Sequence, residues 1–396
     1  MQALRRDTAA PAPWLAQDHV LMGLVLVLTA AGIVMMGSAS MDFAAEEKNN
    51  NPFYFLVHHT GYVSLGLLIM GVATRIPLVF WSRMGGVLLV AGVLLLVLVL
   101  IPGIGRERNG ATRWMGIGSL NLQPSEVMKF CFVVYLAGYI QRRSREITET
   151  LGGMVTPASI LLLVAALLLA EPDFGATVVI GGTAVVMLFI AGARLLPFAV
   201  LFGLAVGSVA ALAIFSPYRM KRLVTYLDPW QEQFGGGYQL VQALIAFGRG
   251  EVTGVGLGNS VQKLFYLPEA HTDFVFAIIA EELGLIGGVF FIALFSALVG
   301  RILWIARAAA ARQQLFAAQL CLGVALVVAG QVFINIGVNA GLLPTKGLTL
   351  PFLSYGGSSL VVLFAMMGLV LRAESEVRNG TSALVAPWQG WRVRNG

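Results

Sequence analysis

Residues 266–282 read Tyr-Leu-Pro-Glu-Ala-His-Thr-Asp-Phe-Val-Phe-Ala-Ile-Ile-Ala-Glu-Glu, a polar turn that becomes an apolar helix. Glu269, His271, Thr272 and Asp273 gather at the transition. Thr and Asp are good helix N-caps, and Asp suits the positive end of a helix, so a plain helix start accounts for Thr272 and Asp273. It does not account for Glu281 and Glu282, two acids inside an otherwise apolar run, where burial is costly and usually functional.

The rest of the chain places that helix in a membrane. Of 396 residues, 58% are hydrophobic and 12% charged, and the mean hydropathy is +0.82. That is more apolar material than a soluble core can use. Apolar runs of about 17 to 25 residues recur, each long enough to cross a bilayer as a helix. Only helices satisfy the backbone in such runs, so an all-α, polytopic fold is expected. The alternating polarity of a membrane β-barrel is absent. The net charge of +6 is spread over short loops, which is a topology signal rather than a surface for nucleic acid. Cys131 and Cys321 sit in apolar runs as packing residues, with neither a disulfide framework nor a metal set around them. The first 18 residues are polar and carry Arg5 and Arg6. No clean cleavage site closes the apolar run that follows, so the first helix is expected to be retained.

The pattern predicts ten membrane helices, at about 19–38, 54–73, 84–101, 124–140, 155–170, 175–192, 195–215, 273–300, 314–338 and 352–371. Arg75 and Arg83, then Arg142, Arg143 and Arg145, then Arg194, then Arg301, Arg307 and Arg312 fall on alternate connections, as do Arg5, Arg6, Arg372 and Arg378 at the ends. Those connections, and both termini, are therefore expected in the cytoplasm. The division is a cytoplasmic segment 1–18, a membrane domain 19–372 and a disordered cytoplasmic tail 373–396. One long external loop, about 216–272, contains a turn at Asp228-Pro229 and a glycine joint at Gly235–Gly237. It also contains an amphipathic stretch from Tyr238 to Phe247, with Leu240, Leu244 and Phe247 on one face, expected at the membrane surface. The glycines of 254–258 lack dinucleotide-binding spacing and lead to Lys263. The loop 102–123 should be external yet holds Arg106, Arg108 and Arg113, either an exception to the charge rule or a site for an external anion. No internal repeat is visible, which lowers a transporter reading.

On that orientation four polar, turn-rich segments share the external side. They are Gln123-Pro124-Ser125-Glu126 with Lys129 on the same helical face, Glu171-Pro172-Asp173-Phe174-Gly175, the 266–273 turn, and Pro344 to Ser359. Each has a bland reading. Glu126 and Lys129 neutralise one another as an ion pair; the small residues from Ser354 to Ser359 let helices approach. His271 is a satisfied histidine, Asp173 ends a turn, and Arg113 beside Trp114 anchors an interface. Lys129, Glu281, Glu282, Gln331 and Asn335 lie deepest and alone suggest a path through the bilayer.

The segment Lys263 to Gly284, the stretch Asn335 to Ser359 with Gly-Leu-Leu-Pro-Thr-Lys-Gly-Leu and Phe-Leu-Ser-Tyr-Gly-Gly-Ser-Ser, Gly-Ala-Thr-Arg-Trp before Gln-Pro-Ser-Glu-Val-Met-Lys, and Tyr-Gln-Leu-Val-Gln-Ala together resemble the SEDS (shape, elongation, division and sporulation) family. The resemblance covers about residues 20–372. Ala270 after Pro-Glu, the preceding Lys-Leu-Phe-Tyr-Leu and the N-terminal extension are more similar to the division members than to the elongation members. It implies a peptidoglycan glycosyltransferase that polymerises lipid II on the outer face of the bacterial inner membrane, at the septum. The implied partners are a class B penicillin-binding transpeptidase (FtsI-like) with one membrane helix, and other division proteins.

In that reaction a base takes the proton of an acceptor hydroxyl while cationic groups stabilise a departing lipid pyrophosphate. Asp273, at the water–lipid boundary, is the candidate base, with Glu269 the alternative. Arg113, Lys129 and Lys263 are expected to contact the pyrophosphate or to shape the site. Glu126, Glu269, His271, Thr272, Lys346, Ser354, Gly356, Gly357 and Ser358 complete the expected substrate site. A divalent cation (Mg or Mn) held between pyrophosphate and carboxylates suits the chemistry, though no ligand spacing demonstrates one. No organic cofactor is expected. A lipid II flippase and a non-catalytic division scaffold are the alternatives.

Overall fold

Six helices are long and apolar enough to cross a membrane: His19–Glu47, Tyr54–Ala73, Leu78–Val99, Gly152–Ala170, Val275–Ala311 and Leu315–Asn339. The computed structural model describes residues 18–48, 50–108, 111–117, 120–150, 152–193, 203, 207, 226–344 and 347–380. The elements are α1 (His19–Glu47), α2 (Tyr54–Arg75), α3 (Leu78–Val99), β1 (Gly105–Arg108), β2 (Ala111–Ile117), β3 (Leu120–Leu122), α4 (Pro124–Arg142), α5 (Ser144–Glu149), α6 (Gly152–Ala170), α7 (Phe174–Ile190), α8 (Tyr238–Gly250), α9 (Val275–Ala311), α10 (Leu315–Asn339) and α11 (Gly357–Asn379). The chain is a polytopic helical membrane protein. Nine of the ten expected spans fall on helices; the one at about 195–215 lies, apart from residues 203 and 207, outside the described residues.

Several boundaries differ from expectation for local reasons. The third span starts at Leu78 rather than near 84, directly after Pro77, whose fixed φ suits a helix entrance. The eighth starts at Val275, behind Asp273, and continues to Ala311. Arg301, expected in a loop, is therefore helical, and its Nε binds the Asp18 carboxylate at 2.6 Å. Asp18 also caps α1 by accepting from Val20 N and Leu21 N, so one acid ties α1 to α9. The last span runs Gly357–Asn379 instead of 352–371. Residues 373–379, expected in the tail, are helical because Glu376 accepts from Leu78 N at 2.9 Å and from Arg372 at 2.7 Å.

Residues 102–123, read as a loop, form a three-stranded antiparallel sheet in the order β1-β2-β3. Arg106 pairs with Trp114, and a bulge follows between Arg106 and Glu107. Gly116 has no side chain where the Arg106 guanidinium crosses the sheet. Helix α4 is the centre of the bundle. It packs on α3, α7, α10 and α11, and its residues from Cys131 to Ile140 are all buried. At the edge, Gly66 admits the Phe364 ring and Gly368 lies on the Met70 backbone, bringing α2 and α11 close.

Helix α9 is broken at Gly284, where φ is +66° and ψ −164°. A break at such depth needs replacement backbone partners, because lipid offers none. The segment after α8 supplies them. Leu285 N donates to Glu251 O at 3.0 Å and Ile286 N to Val252 O at 3.1 Å; Val255 N and Gly256 N donate to Glu281 O and Glu282 O, each at 3.0 Å. The two acids then clamp the same segment. The Glu281 carboxylate accepts from Ser260 Oγ (2.5 Å), Val261 N (3.1 Å), Gln262 N (3.3 Å) and Arg249 (3.2 Å). Glu282 accepts from Ser38 Oγ at 2.6 Å and from Lys263 Nζ at 3.3 Å. The apolar face of α8, expected on the membrane surface, is instead taken up by α9 and α10, with Gly250 against the Ala280 carbonyl and Leu240 and Leu244 against Gly341.

A Gly284→Ala change forces an L side chain into a left-handed backbone and onto Gly254 N and Val252 O. The expected loss is on the order of 2 kcal/mol or more. It is read as a fall of several degrees in the thermal unfolding midpoint of the detergent-solubilised protein, and an unchanged midpoint would contradict this role for the crossing segment.

Candidate active site

A cavity of about 450 Å³ opens where several helices end together. Its walls are β2 (Arg113, Trp114), the start of α4 (Gln123), the α6–α7 turn (Pro172, Asp173), the turn before α9 (Glu269, Thr272, Asp273), the 347–359 segment that enters α11, and Tyr62 of α2. Each wall is fixed by polar contacts that begin in local sequence.

The turn before α9 is tight because Glu269 takes a positive φ of 58° and its carbonyl accepts from Thr272 N and Phe274 N at 3.1 and 3.2 Å. Its Oε2 accepts the Thr272 hydroxyl at 2.6 Å. The N-cap of α9 is Phe274, which makes no side-chain capping bond. Helix capping therefore does not explain Asp273. Its backbone carbonyl accepts from both Asn335 Nδ2 and Asn339 Nδ2 at 2.9 Å. Asn335 Nδ2 also donates to Leu348 O at 2.6 Å, and Asn339 Oδ1 accepts from Ala277 N at 3.0 Å. Two amides on consecutive turns of α10 thus hold the Asp273 turn against the 347–350 segment.

Across the cavity Arg113 is positioned by backbone: its Nε donates to Glu171 O at 3.1 Å and its Nη2 to Pro172 O at 2.5 Å. Its Nη1 and the Asp273 carboxylate flank one residue, Gly347. A methyl group there would stand 3.1 Å from Asp273 Oδ2 and 3.9 Å from Arg113 Nη1. The missing side chain keeps a slot open between an acid and a guanidinium, the pairing that proton removal and anion stabilisation require.

Asp173 is buried and caps α7 by accepting from Ala176 N at 3.1 Å. Its other oxygen accepts from Ser125 Oγ at 2.7 Å and Gln123 Nε2 at 3.2 Å. Gln123 N donates to Ser358 Oγ at 3.2 Å, which joins α4 and α7 to the first turn of α11. Neighbouring Glu171 is 0% exposed, and neither of its carboxylate oxygens has a hydrogen-bond partner among the described residues. Burial pushes its pKa up to about 8, the nearby Asp173 charge adds to this, and Arg113 opposes it.

Of the residues expected from sequence, the cavity wall brings together Arg113, Glu269, Thr272, Asp273, Gly356, Gly357 and Ser358. Glu126 and Lys129 form their ion pair at 2.8 Å, buried in α4 behind Ser125. Lys263 turns inward to Glu282 and Gly258 O rather than to the cavity. The ring of His271 packs tilted against Phe43 and Phe55, with centroids 5.0 and 4.8 Å away, while its carbonyl accepts from Tyr355 N at 2.9 Å. Ser354 Oγ accepts from Leu350 N at 2.8 Å and shapes the turn. Lys346 lies outside the described residues. Sequence reasoning put Gln123, Asp173 and Gly347 in the external polar segments without assigning them to the site, and it missed Tyr62. For Asp173 the signal was present in an acid directly after Pro172, three residues past the end of α6, but it reads equally as the end of a turn. Among the described residues no three His, Cys, Asp or Glu side chains gather as a metal cage.

These features define a class: a polytopic membrane protein with a polar chamber, carrying an acid and a guanidinium, at the ends of its helices. Comparison with known proteins narrows it. Residues 18–379 match the FtsW/RodA/SpoVE family model described as "Cell cycle protein", and the chain belongs to that family. It is 51% identical over 380 residues to the probable peptidoglycan glycosyltransferase FtsW of Hahella chejuensis, covering 96% of each chain. It is 52% identical over 361 residues to the protein of the same name from Pseudomonas fluorescens, covering 91% of this chain and 88% of the relative. Among solved structures, it resembles a chain from a study of how a peptidoglycan synthase complex coordinates polymerization and crosslinking, with a TM-score of 0.75, 31% identity, and 92% and 99% of the two chains covered. The rod shape determining protein RodA of Thermus thermophilus gives a TM-score of 0.68 and 30% identity over the same shares. The sequence identity to these two FtsW proteins is thus higher than to the Thermus thermophilus RodA.

Two outcomes are expected. Because the Glu171 pKa is raised in the folded state, the folded state holds a proton that the unfolded state releases above about pH 4.5. Its contribution then erodes stability as pH rises from about 4.5 to about 8. Glu171→Gln should thus raise the unfolding midpoint relative to wild type by several degrees at pH 8 and little at pH 5; equal shifts at both pH values would refute the assignment. Gly347→Ala should leave the midpoint unchanged while lowering turnover by roughly tenfold or more, since small misplacements in a reactive geometry are costly. Wild-type turnover would show that the slot has no role.

Proposed function

We propose that the chain is a peptidoglycan glycosyltransferase that polymerises lipid II into glycan strands for septal wall synthesis during division. The observation that carries this reading is the Asp273 carboxylate facing Arg113 across the Gly347 slot. The FtsW relatives, about half identical over most of their length, support it.

In the reaction the acceptor sugar's 4-hydroxyl gives its proton to Asp273 as its oxygen bonds to the donor's anomeric carbon. The anomeric carbon–phosphate oxygen bond breaks, and undecaprenyl pyrophosphate leaves with the electron pair. Arg113, locked by two backbone carbonyls, stabilises the charge that develops on the departing phosphates without having to reorganise. Asp273 rather than Glu269 is the base, because the Glu269 carboxylate accepts the Thr272 hydroxyl and shapes the turn. A divalent cation in this chamber would take its ligands chiefly from the pyrophosphate, since the described side chains build no cage of their own; no step here is routed through one.

The loop charges favour a chamber on the outer face of the inner membrane, where lipid II presents its sugars. A class B penicillin-binding transpeptidase is the fitting partner, because a similar fold occurs in a complex that couples polymerization to crosslinking. Apart from Gln331, whose buried Nε2 has no partner among the described residues, the deep polar residues are engaged within the protein and do not favour flipping. Lys129 is bound to Glu126, Glu282 to Lys263 and Ser38, and Asn335 to two backbone carbonyls.

With the transpeptidase partner and labelled lipid II, Asp273→Ala should cut glycan synthesis by about 10²- to 10⁴-fold, with complex assembly intact. Full glycan from the assembled mutant removes Asp273 from the mechanism.

A further inference from the structure

Tyr62 lies in the middle of the apolar sequence of α2, flanked by lipid-facing positions such as Leu65 and Leu68, yet its side chain lines the polar chamber. An aromatic residue at a membrane boundary is ordinarily an interfacial anchor with its polar end toward headgroups. Two observations set Tyr62 apart from that role.

The first is how the ring is held. A side chain at Gly357, the first residue of α11, would collide with Tyr62 Cζ, Cε1 and Cε2. The hydroxyl end of the ring therefore rests directly on the Cα of Gly357. The position is set by packing between α2 and α11, whose close approach continues at Gly66 and Gly368.

The second is what the hydroxyl does. Other polar groups on this side of the chamber are engaged inside the protein. Ser358 Oγ accepts from Gln123 N at 3.2 Å, and Ser359 Oγ accepts from Thr349 Oγ1 at 3.2 Å. The Tyr62 hydroxyl has no hydrogen-bond partner among the described residues. A ring fixed without using its hydroxyl leaves a pre-oriented donor and acceptor on the chamber wall, with the order already imposed before a ligand arrives.

We infer that Tyr62 is a substrate-contacting residue that binds a hexosamine of the lipid-linked disaccharide, its hydroxyl hydrogen-bonding a sugar hydroxyl or acetamido group and its ring packing on the sugar's C–H face. The inference rests on the glycosyltransferase reading and adds to it a wall that holds the sugar in the chamber that Asp273 also lines. Tyr62 belongs to binding rather than to bond making. Its loss should weaken the ground state and the transition state alike, raising KM with kcat unchanged.

The test compares wild type, Tyr62→Phe and Tyr62→Leu. Equilibrium binding of fluorescent lipid II to the full detergent-solubilised chain is measured first, then steady-state glycan synthesis in the complex with the transpeptidase. Tyr62→Phe should weaken binding by about three- to tenfold, the scale of one hydrogen bond. It should raise KM to match, with kcat and the unfolding midpoint unchanged. Tyr62→Leu, which also loses the ring, should weaken binding further; if it fails to fold, the Phe variant decides alone. Wild-type binding by Tyr62→Phe, or a fall in kcat with KM unchanged, overturns the assignment. A wild-type chain that binds lipid II but makes no glycan in the assembled complex refutes the polymerase reading instead, and the binding comparison still judges Tyr62.

Discussion

A backbone inside hydrocarbon must find every hydrogen bond within the protein, and α9 breaks that rule locally at Gly284. The rest of the molecule is arranged around the repair. The segment from Glu251 to Gly256 supplies the missing carbonyls and amides, and Glu281 and Glu282 hold its continuation through Ser260, Gln262 and Lys263. Two acids that look anomalous in an apolar run are thereby engaged with donors from the crossing segment, from α8 and from α1. The crossing segment leads on to the turn that presents Asp273. The break in the helix and the position of the acid are thus parts of one construction.

The chamber follows the same logic of local bonds with distant effects. Arg113 is held by carbonyls of the α6–α7 turn, and the Asp273 turn by the α10 amides. Asp173 joins α4 to α7 through side chains, while Gln123 N reaches Ser358 on α11. The acid and the guanidinium therefore sit on separate walls, each held by its own hydrogen bonds. Residue 347, being glycine, puts no side chain of its own between them.

Much of this was legible before folding was considered. Hydropathy gave the membrane helices, and loop charge brought the Asp273 turn, Arg113 and the Gly356–Ser358 segment to one side. The spacing of Glu126 and Lys129 showed their ion pair. What stayed hidden depended on tertiary contact. Lys263 looks like a loop cation until Glu282 turns it inward. Tyr62 has no local signature inside an apolar helix. Gly347 has meaning only because Asp273 and Arg113 meet beside it. The sheet at 105–122 was obscured by short strands and by a bulge that interrupts their alternation.

Helix α11 runs from the chamber, at Gly357, to the far end of the bundle, where Glu376 takes the amide of Leu78 and Arg372 reaches Thr74 O. Along the way its glycine and aromatic contacts key it into α2. A rod fastened at its foot and notched along its side resists both sliding and rotation. The chamber floor that it carries is therefore a fixed datum. Any opening or closing of the chamber has to come from the walls that meet α11 through loops, so the two faces of the membrane are mechanically referenced to one another through a single helix.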